Sequence, residues 1–214
     1  MLVLIGNQKG GCGKSTLALL LANFLAIEKR QPLTILDMDY QQSLFAKSQK
    51  AKILENDPFY EIVPAALENF PLMQKRILKS PKDIILIDLP GKMDDDGLVP
   101  IFTSADLFLC PFAYDEFSVD STFSVDSTVL FSMVVKKLNS RAQVLFIPNR
   151  IKTNVKYETK EQVQKVLRNV GTVLSEISDR IDFQRVSTVH TPETIRSVSY
   201  PVLSYIYDHF LKSD

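Results

Sequence analysis

Cysteine is scarce in this chain, with Cys12 and Cys110 the only two in 214 residues. Two isolated thiols cannot build a disulfide framework. Neither lies in a Cys-x-x-Cys pair, which argues against zinc and iron–sulfur sites. An excess of one charge is also missing. Lysine and arginine total 25 against 25 aspartates and glutamates, so any attraction to nucleic acid or a membrane surface must come from a local patch. Long apolar runs are absent as well: the longest, from Leu17 to Ile27, is too short to cross a bilayer and contains Asn23. Met1 leads straight into Leu2-Val3-Leu4-Ile5 without a basic leader or cleavage site. A cytoplasmic protein without a membrane anchor is expected. No linker or low-complexity segment breaks the sequence, which predicts one domain over residues 1–214. His190 and His209 have no partner spacing that suggests catalysis or metal binding.

Hydrophobic residues make up 45% and charged residues 23% of the chain, an ordinary globular balance. Short apolar runs predict strands over 2–7, 33–39, 83–89, 106–112 and 143–149, with a weaker one over 60–64. Several are apolar at consecutive positions, as in Ile84-Ile85-Leu86-Ile87, which suits parallel strands covered on both faces. Helical spacing follows Lys14 (Leu17, Leu20, Leu21, Phe24, Leu25). It recurs before Asn139 (Val129, Leu130, Met133, Val134, Leu138) and again at Val163, Val166, Leu167, Val170, Leu174 and Ile177. The alternation predicts an α/β fold: a doubly wound, mostly parallel sheet with helices on both faces and ligands at the carboxyl ends of its strands. The hexapeptide Phe117–Thr122 is repeated at once as Phe123–Thr128. Six residues turn a helix by about 600°, so two helical copies would face about 120° apart. The duplication either lengthens a loop or helix start, or provides a partner-binding insertion.

The first predicted strand feeds Lys9-Gly10-Gly11-Cys12-Gly13-Lys14-Ser15-Thr16 and then a helix. Glycines let successive backbone N–H groups curl round an anion, and the helix adds its N-terminal dipole. Lys14 can reach the β- and γ-phosphates of a nucleotide, and the Ser15 hydroxyl can ligate Mg²⁺. Gln8 stands where the ordinary pattern G-x-x-x-x-G-K-[ST] requires glycine. The loop instead matches K-G-G-x-G-K-[ST]-T, and here the chain resembles the ParA/MinD-type ATPases with a deviant Walker A motif, of P-loop NTPase fold. The resemblance implies that Lys9 reaches across an ATP-sandwiched homodimer to the partner's phosphates. It would act as a cation on the charge that develops during transfer.

Two further motifs extend the likeness. Asp37-Met38-Asp39-Tyr40-Gln41 resembles the family's D-x-D-P-Q, with tyrosine in the place of proline. Asp39 then matches the carboxylate that orients the attacking water, and Asp37 one lying near the metal. Ile84–Asp88 followed by Leu89-Pro90-Gly91 resembles Walker B and the γ-phosphate switch. A buried strand-end aspartate such as Asp88 is costly without a charge or metal beside it, and holding Mg²⁺ would meet that need. Asp94-Asp95-Asp96 is read as a solvated loop or helix start rather than a metal site. Asn149 and Arg150 match an Asn-Arg pair that borders the adenine in several relatives. Asn149 alone fits a turn residue equally well.

The cysteine count sets aside the cluster-bearing relatives. The terminal stretch Val202–Leu211 has an apolar face with few basic residues, which suits core packing better than a membrane helix. Tyr200, Tyr205 and Tyr207 invite comparison with the tyrosine kinases of the superfamily, but they sit among apolar residues that favour packing. Residues 136–168 hold nine basic residues against Glu158 and Glu161, a candidate patch for non-specific DNA. The resemblance implies a small stand-alone ParA-like protein, similar to those of plasmids and conjugative elements. It would be a slow ATP hydrolase that dimerises on Mg·ATP, is stimulated by a partner protein or DNA, and acts in DNA partitioning or cargo positioning. A nucleotide-gated interaction module with negligible turnover, and a kinase, are the alternatives.

Overall fold

The structure is a computed structural model and describes residues 1–54, 57–77, 83–92, 95–114, 127–151 and 156–212. Among these residues seven strands form one sheet in the order β3-β2-β4-β1-β5-β6-β7. They are β1 (Leu2–Ile5), β2 (Leu33–Asp37), β3 (Glu61–Pro64), β4 (Ile84–Asp88), β5 (Leu107–Phe112), β6 (Gln143–Pro148) and β7 (Thr172–Val173). Every pairing between these neighbours is parallel. The α-helices that surround the sheet are α1 (Lys14–Asn23), α2 (Ser43–Ile53), α3 (Phe70–Ile77), α4 (Leu98–Ser104), α5 (Ser127–Leu138), α6 (Tyr157–Leu167) and α7 (Glu193–Ile206).

The continuous apolar runs are divided residue by residue between two cores, because alternate side chains of a strand face opposite ways. Val3, Ile5, Ile84, Leu86, Leu107, Leu109, Leu145 and Ile147 pack with α1 and α7. Leu4, Ile85, Ile87, Phe108, Cys110, Val144 and Phe146 pack with residues of α4, α5 and α6. That explains why strands lacking polar alternation are strands nonetheless. The π-helical turn Phe24–Glu28 continues α1, and another, Tyr207–Leu211, continues α7.

Several expectations need correction. Val170, Leu174 and Ile177 lie beyond α6, which stops at Leu167. Gly171 packs so closely on Val144 of β6 that a side chain there would strike its carbonyl, and the chain turns into β7 instead. On α5, Val129 is buried, but Leu130, Met133, Val134 and Leu138 face solvent. The face toward the sheet is Thr128, Val129, Phe131, Ser132 and Val135. Tyr200 and Tyr207 pack edge-on against Phe24, with ring centroids 5.0 and 6.5 Å away. Tyr205 is exposed and stacks on His209 at 4.1 Å. The repeated hexapeptide up to residue 126 lies outside the described residues, as do Asp94 and Lys152. Among the described residues no helix is long and apolar enough to cross a membrane.

Candidate nucleotide-binding site

The carboxyl ends of three adjacent strands are in step: Ile5 pairs with Asp88 across β1 and β4, and Asp37 with Asp88 across β2 and β4. The glycine loop therefore leaves β1 beside two aspartates at the same level of the sheet. Gly13 takes a left-handed φ of 94° and passes the chain into α1 without a side-chain cap. The first intrahelical bond is Leu17 N–H to the Gly13 carbonyl at 2.9 Å. The preceding amides of Lys14, Ser15 and Thr16 thus form an uncapped helix start, suited to an anion. No acidic residue sits in that first turn. Gly10 and Gly11 have open space where a Cβ would stand, and Gly11 has φ 78°. Lys14 is buried. Its Nζ lies 3.5 Å from the Lys9 carbonyl and the same distance from the point a Gly91 Cβ would occupy.

The opposite wall is acidic. Asp37 and Asp88 are both fully buried. Both carboxylate oxygens of Asp88, and Oδ1 of Asp37, lack a hydrogen-bond partner. Burial pushes the Asp88 carboxyl up to about 7; the Ser15 hydroxyl, near it but outside hydrogen-bond geometry, and Lys14 pull it down, while Asp37 and Asp39 push it further up. Burial also raises Asp37, opposed by the backbone amides of Phe45, Leu44 and Asp39. Phe45 N–H donates to Asp37 Oδ2 at 2.8 Å. Orphaned buried carboxylate oxygens facing a hydroxyl and the glycine turn fit a divalent cation. Among the described residues no cluster of three His, Cys, Asp or Glu side chains could hold an ion alone.

Lys9 is exposed, and among the described residues its ammonium meets no carboxylate. Its backbone is nonetheless fixed: Lys9 N–H donates to Asn7 Oδ1 at 3.2 Å, and Cys12 Sγ lies 3.3 Å from its carbonyl. Asn7, fully buried, donates to the Pro111 carbonyl at 2.9 Å and to Thr128 Oγ1 at 3.0 Å. It anchors the base of the loop to β5 and to the first turn of α5. Asp39 Oδ1 accepts from Gln41 N–H at 2.9 Å.

Asn149 and Arg150 meet the loop from the far side. Asn149 Nδ2 donates to the Cys12 carbonyl at 2.9 Å, and Arg150 to the Gly11 carbonyl at 2.6 Å. A Cβ on Gly13 would strike the Asn149 amide. This pair therefore braces the glycine loop, a role the sequence did not suggest. Both also line a cavity of about 1010 Å³ that opens from Gly10–Thr16 past Asp39 and Gly91. The same cavity is lined by Lys47 of α2 and by Asp179, Arg180, Ile181, Phe183 and Gln184 of the segment after β7. None of these belongs to a local motif. The β6–β7 pairing and the Ile151–Ser178 bridge bring residues 179–184 in.

The basic stretch 136–168 is partly occupied by its own chain. Lys136 donates to the Ala142 carbonyl at 2.8 Å, Lys160 pairs with Glu176 at 2.7 Å, and Arg168 donates to Gln164 at 2.8 Å.

Comparison with known proteins agrees with the geometry. The family described as the CobQ/CobB/MinD/ParA nucleotide binding domain matches residues 3–192. No curated protein matches the sequence. Among solved structures, a plasmid partition protein from Borrelia burgdorferi is 22% identical, covers 97% of both chains and superposes with a TM-score of 0.69. A variant of Cyanothece McdA in complex with ATP is 12% identical over 100% of this chain and 97% of that one, with a TM-score of 0.70. The MinD cell division protein of Aquifex aeolicus is 16% identical over 100% and 98%, with a TM-score of 0.68. At these identities the likeness is one of fold.

Proposed function

We infer the function of this chain from one premise: it belongs to the CobQ/CobB/MinD/ParA nucleotide-binding domain family. On that premise it is a Mg·ATP-dependent dimerising ATPase that switches state on hydrolysis and serves DNA partitioning or cargo positioning in the cytoplasm. The observation that carries the reading is the uncapped, glycine-framed start of α1 facing two buried carboxylates with unpartnered oxygens. Such a pair of walls has a place for phosphate on one side and for a cation on the other.

The backbone amides of Gly10 to Thr16 cradle the phosphates, and Lys14 neutralises the β- and γ-oxygens. Ser15, Asp37 and Asp88 hold Mg²⁺, which when bound supplies positive charge to the same oxygens. Asp39 orients the water for in-line attack. Asn149, Ile181 and Phe183 flank the base in the same cavity, with Arg150 fixing the loop. Lys9, exposed on a fixed backbone, serves a second copy of the protein. The outward apolar residues Leu130, Met133 and Val134 of α5 support an activating partner protein, and the exposed Lys137, Arg141, Lys156 and Lys165 of the basic stretch support a DNA contact.

ATP hydrolysis and particle mass, measured together with and without non-specific DNA, test the reading. Asp39→Ala is expected to form a dimer that ATP stabilises and that turns over at least ~10²-fold more slowly. Lys9→Ala is expected to lose hydrolysis in the dimer. A monomer that ATP leaves unchanged in both variants would overturn the switch.

A further inference from the structure

Two neighbouring strands end at one level beside the cavity, and residues beyond them meet again farther out. β2 and β4 pair Asp37 with Asp88, and Met38 N–H donates to the Asp88 carbonyl at 3.0 Å. Beyond that point Asp39 and Tyr40 follow β2, and Asp95 stands ahead of α4. The Tyr40 hydroxyl donates to Asp95 Oδ2 at 3.1 Å. The acceptor is itself fixed: Asp95 Oδ1 takes Gly97 N–H at 2.8 Å, and the Asp95 carbonyl takes Leu98 N–H at 3.1 Å at the start of α4. Gly97 sits so tightly that a Cβ would come within 3.0 Å of Leu67. Tyr40 thus ties a short turn to a firm post.

That turn is the one bearing Asp39, whose carbonyl accepts from Gln42 N–H at 2.9 Å. Proline, which the D-x-D-P-Q pattern places at position 40, would stiffen the turn from within by fixing φ, but it has no hydroxyl to reach another loop. Tyrosine gives up that internal restraint and restrains the turn from outside. We propose that Tyr40 is a positioning residue which, through Asp95, makes the Asp39 turn and the start of α4 move as one body. The proposal rests on the ATPase reading above. Tyr40 is 65% exposed, so its hydrogen bond exchanges readily with water and adds little to folding stability. Its effect falls on geometry, where small displacements of a reacting group are felt strongly in rate.

Single-turnover hydrolysis, equilibrium ATP binding and thermal unfolding of Tyr40→Phe, Asp95→Asn and the double variant test this. Tyr40→Phe is expected to slow hydrolysis by about threefold to tenfold, with ATP affinity within about twofold of wild type and an unchanged Tm. Asp95→Asn keeps an acceptor for Gly97 N–H and leaves an amide that can still meet the Tyr40 hydroxyl, but without the carboxylate charge. It therefore slows hydrolysis in the same direction by less than Tyr40→Phe and adds nothing on top of it. An unchanged rate in Tyr40→Phe beside an active wild type, or effects that multiply in the double variant, would overturn the tie. Hydrogen exchange separates this from failure of the ATPase reading. If the wild type does not hydrolyse ATP, faster exchange in Tyr40→Phe over both 38–46 and 95–101 still supports the tie, and faster exchange in only one or neither overturns it.

Discussion

Asp88 carries both of its carboxylate oxygens into the interior without a partner, beside a second buried carboxylate. Its pKa, raised by burial from 3.8 to about 7, has a consequence for the protein free of ligands. The folded chain binds this proton more tightly than the unfolded chain does. Stability is therefore lost as pH rises from about 4 through about 7, by up to ~1.4 kcal/mol per pH unit, and levels off above. Asp37 is shifted the same way by the same cause. Asp88→Asn should remove its share of the slope, so that in EDTA the wild-type-minus-variant difference from urea unfolding falls between about pH 4.5 and 7. A difference that is flat with pH would show that Asp88 is not held as described. That this aspartate needed company was legible in the sequence, because it ends an apolar strand. The bracing by Asn7 and Asn149 was not. Their partners Pro111, Thr128 and Cys12 lie more than a hundred positions away, and nothing local in an asparagine says which backbone carbonyl it will meet.

At the scale of elements, α1 departs most from an amphipathic helix: from Leu17 to Asn23 every residue is buried. Its polar end is served by a small network. Asn23 Nδ2 donates to the Ser187 carbonyl and to Thr191 Oγ1, both at 2.9 Å, and Asn23 Oδ1 accepts from the Tyr60 hydroxyl at 2.7 Å. The residue that leads into β3, α1 and the segment leading into α7 are joined there. Asn23→Ala strands buried groups on both sides and should cost about 3 kcal/mol in urea unfolding, whereas Tyr60→Phe removes one donor and should cost about 1 kcal/mol. Equal losses would mean that the network is not organised around Asn23. Strands were largely legible, since consecutive apolar residues bounded by polar turns leave few other options. Helix faces were less so. α5 has apolar residues on two sides, Val129, Phe131 and Val135 on one and Leu130, Met133, Val134 and Leu138 on the other, and periodicity accepts either. Only the sheet decides between them. β7 escaped notice because two residues carry no period; its place is set by the closeness that Gly171 allows.

At the scale of the molecule, a ligand that binds only the folded chain must stabilise it. ATP with Mg²⁺ at a hundred times its Kd should add about 2.7 kcal/mol. For a chain of this length that is a rise in Tm of roughly 5–10 °C. EDTA should shrink the rise without abolishing it, because the phosphate wall remains. A Tm unmoved by saturating ATP with Mg²⁺ would contradict the assignment of the cavity. The bracing of the glycine loop also has a bearing on biosynthesis. Cys12 is 137 positions from Asn149, and Gly11 is 139 from Arg150. At about 5–20 residues per second, the ribosome needs on the order of ten seconds to make that interval. Throughout it the nascent chain exposes a complete glycine loop with neither brace, and competence to hold nucleotide arrives late in translation although its signature is written at the start.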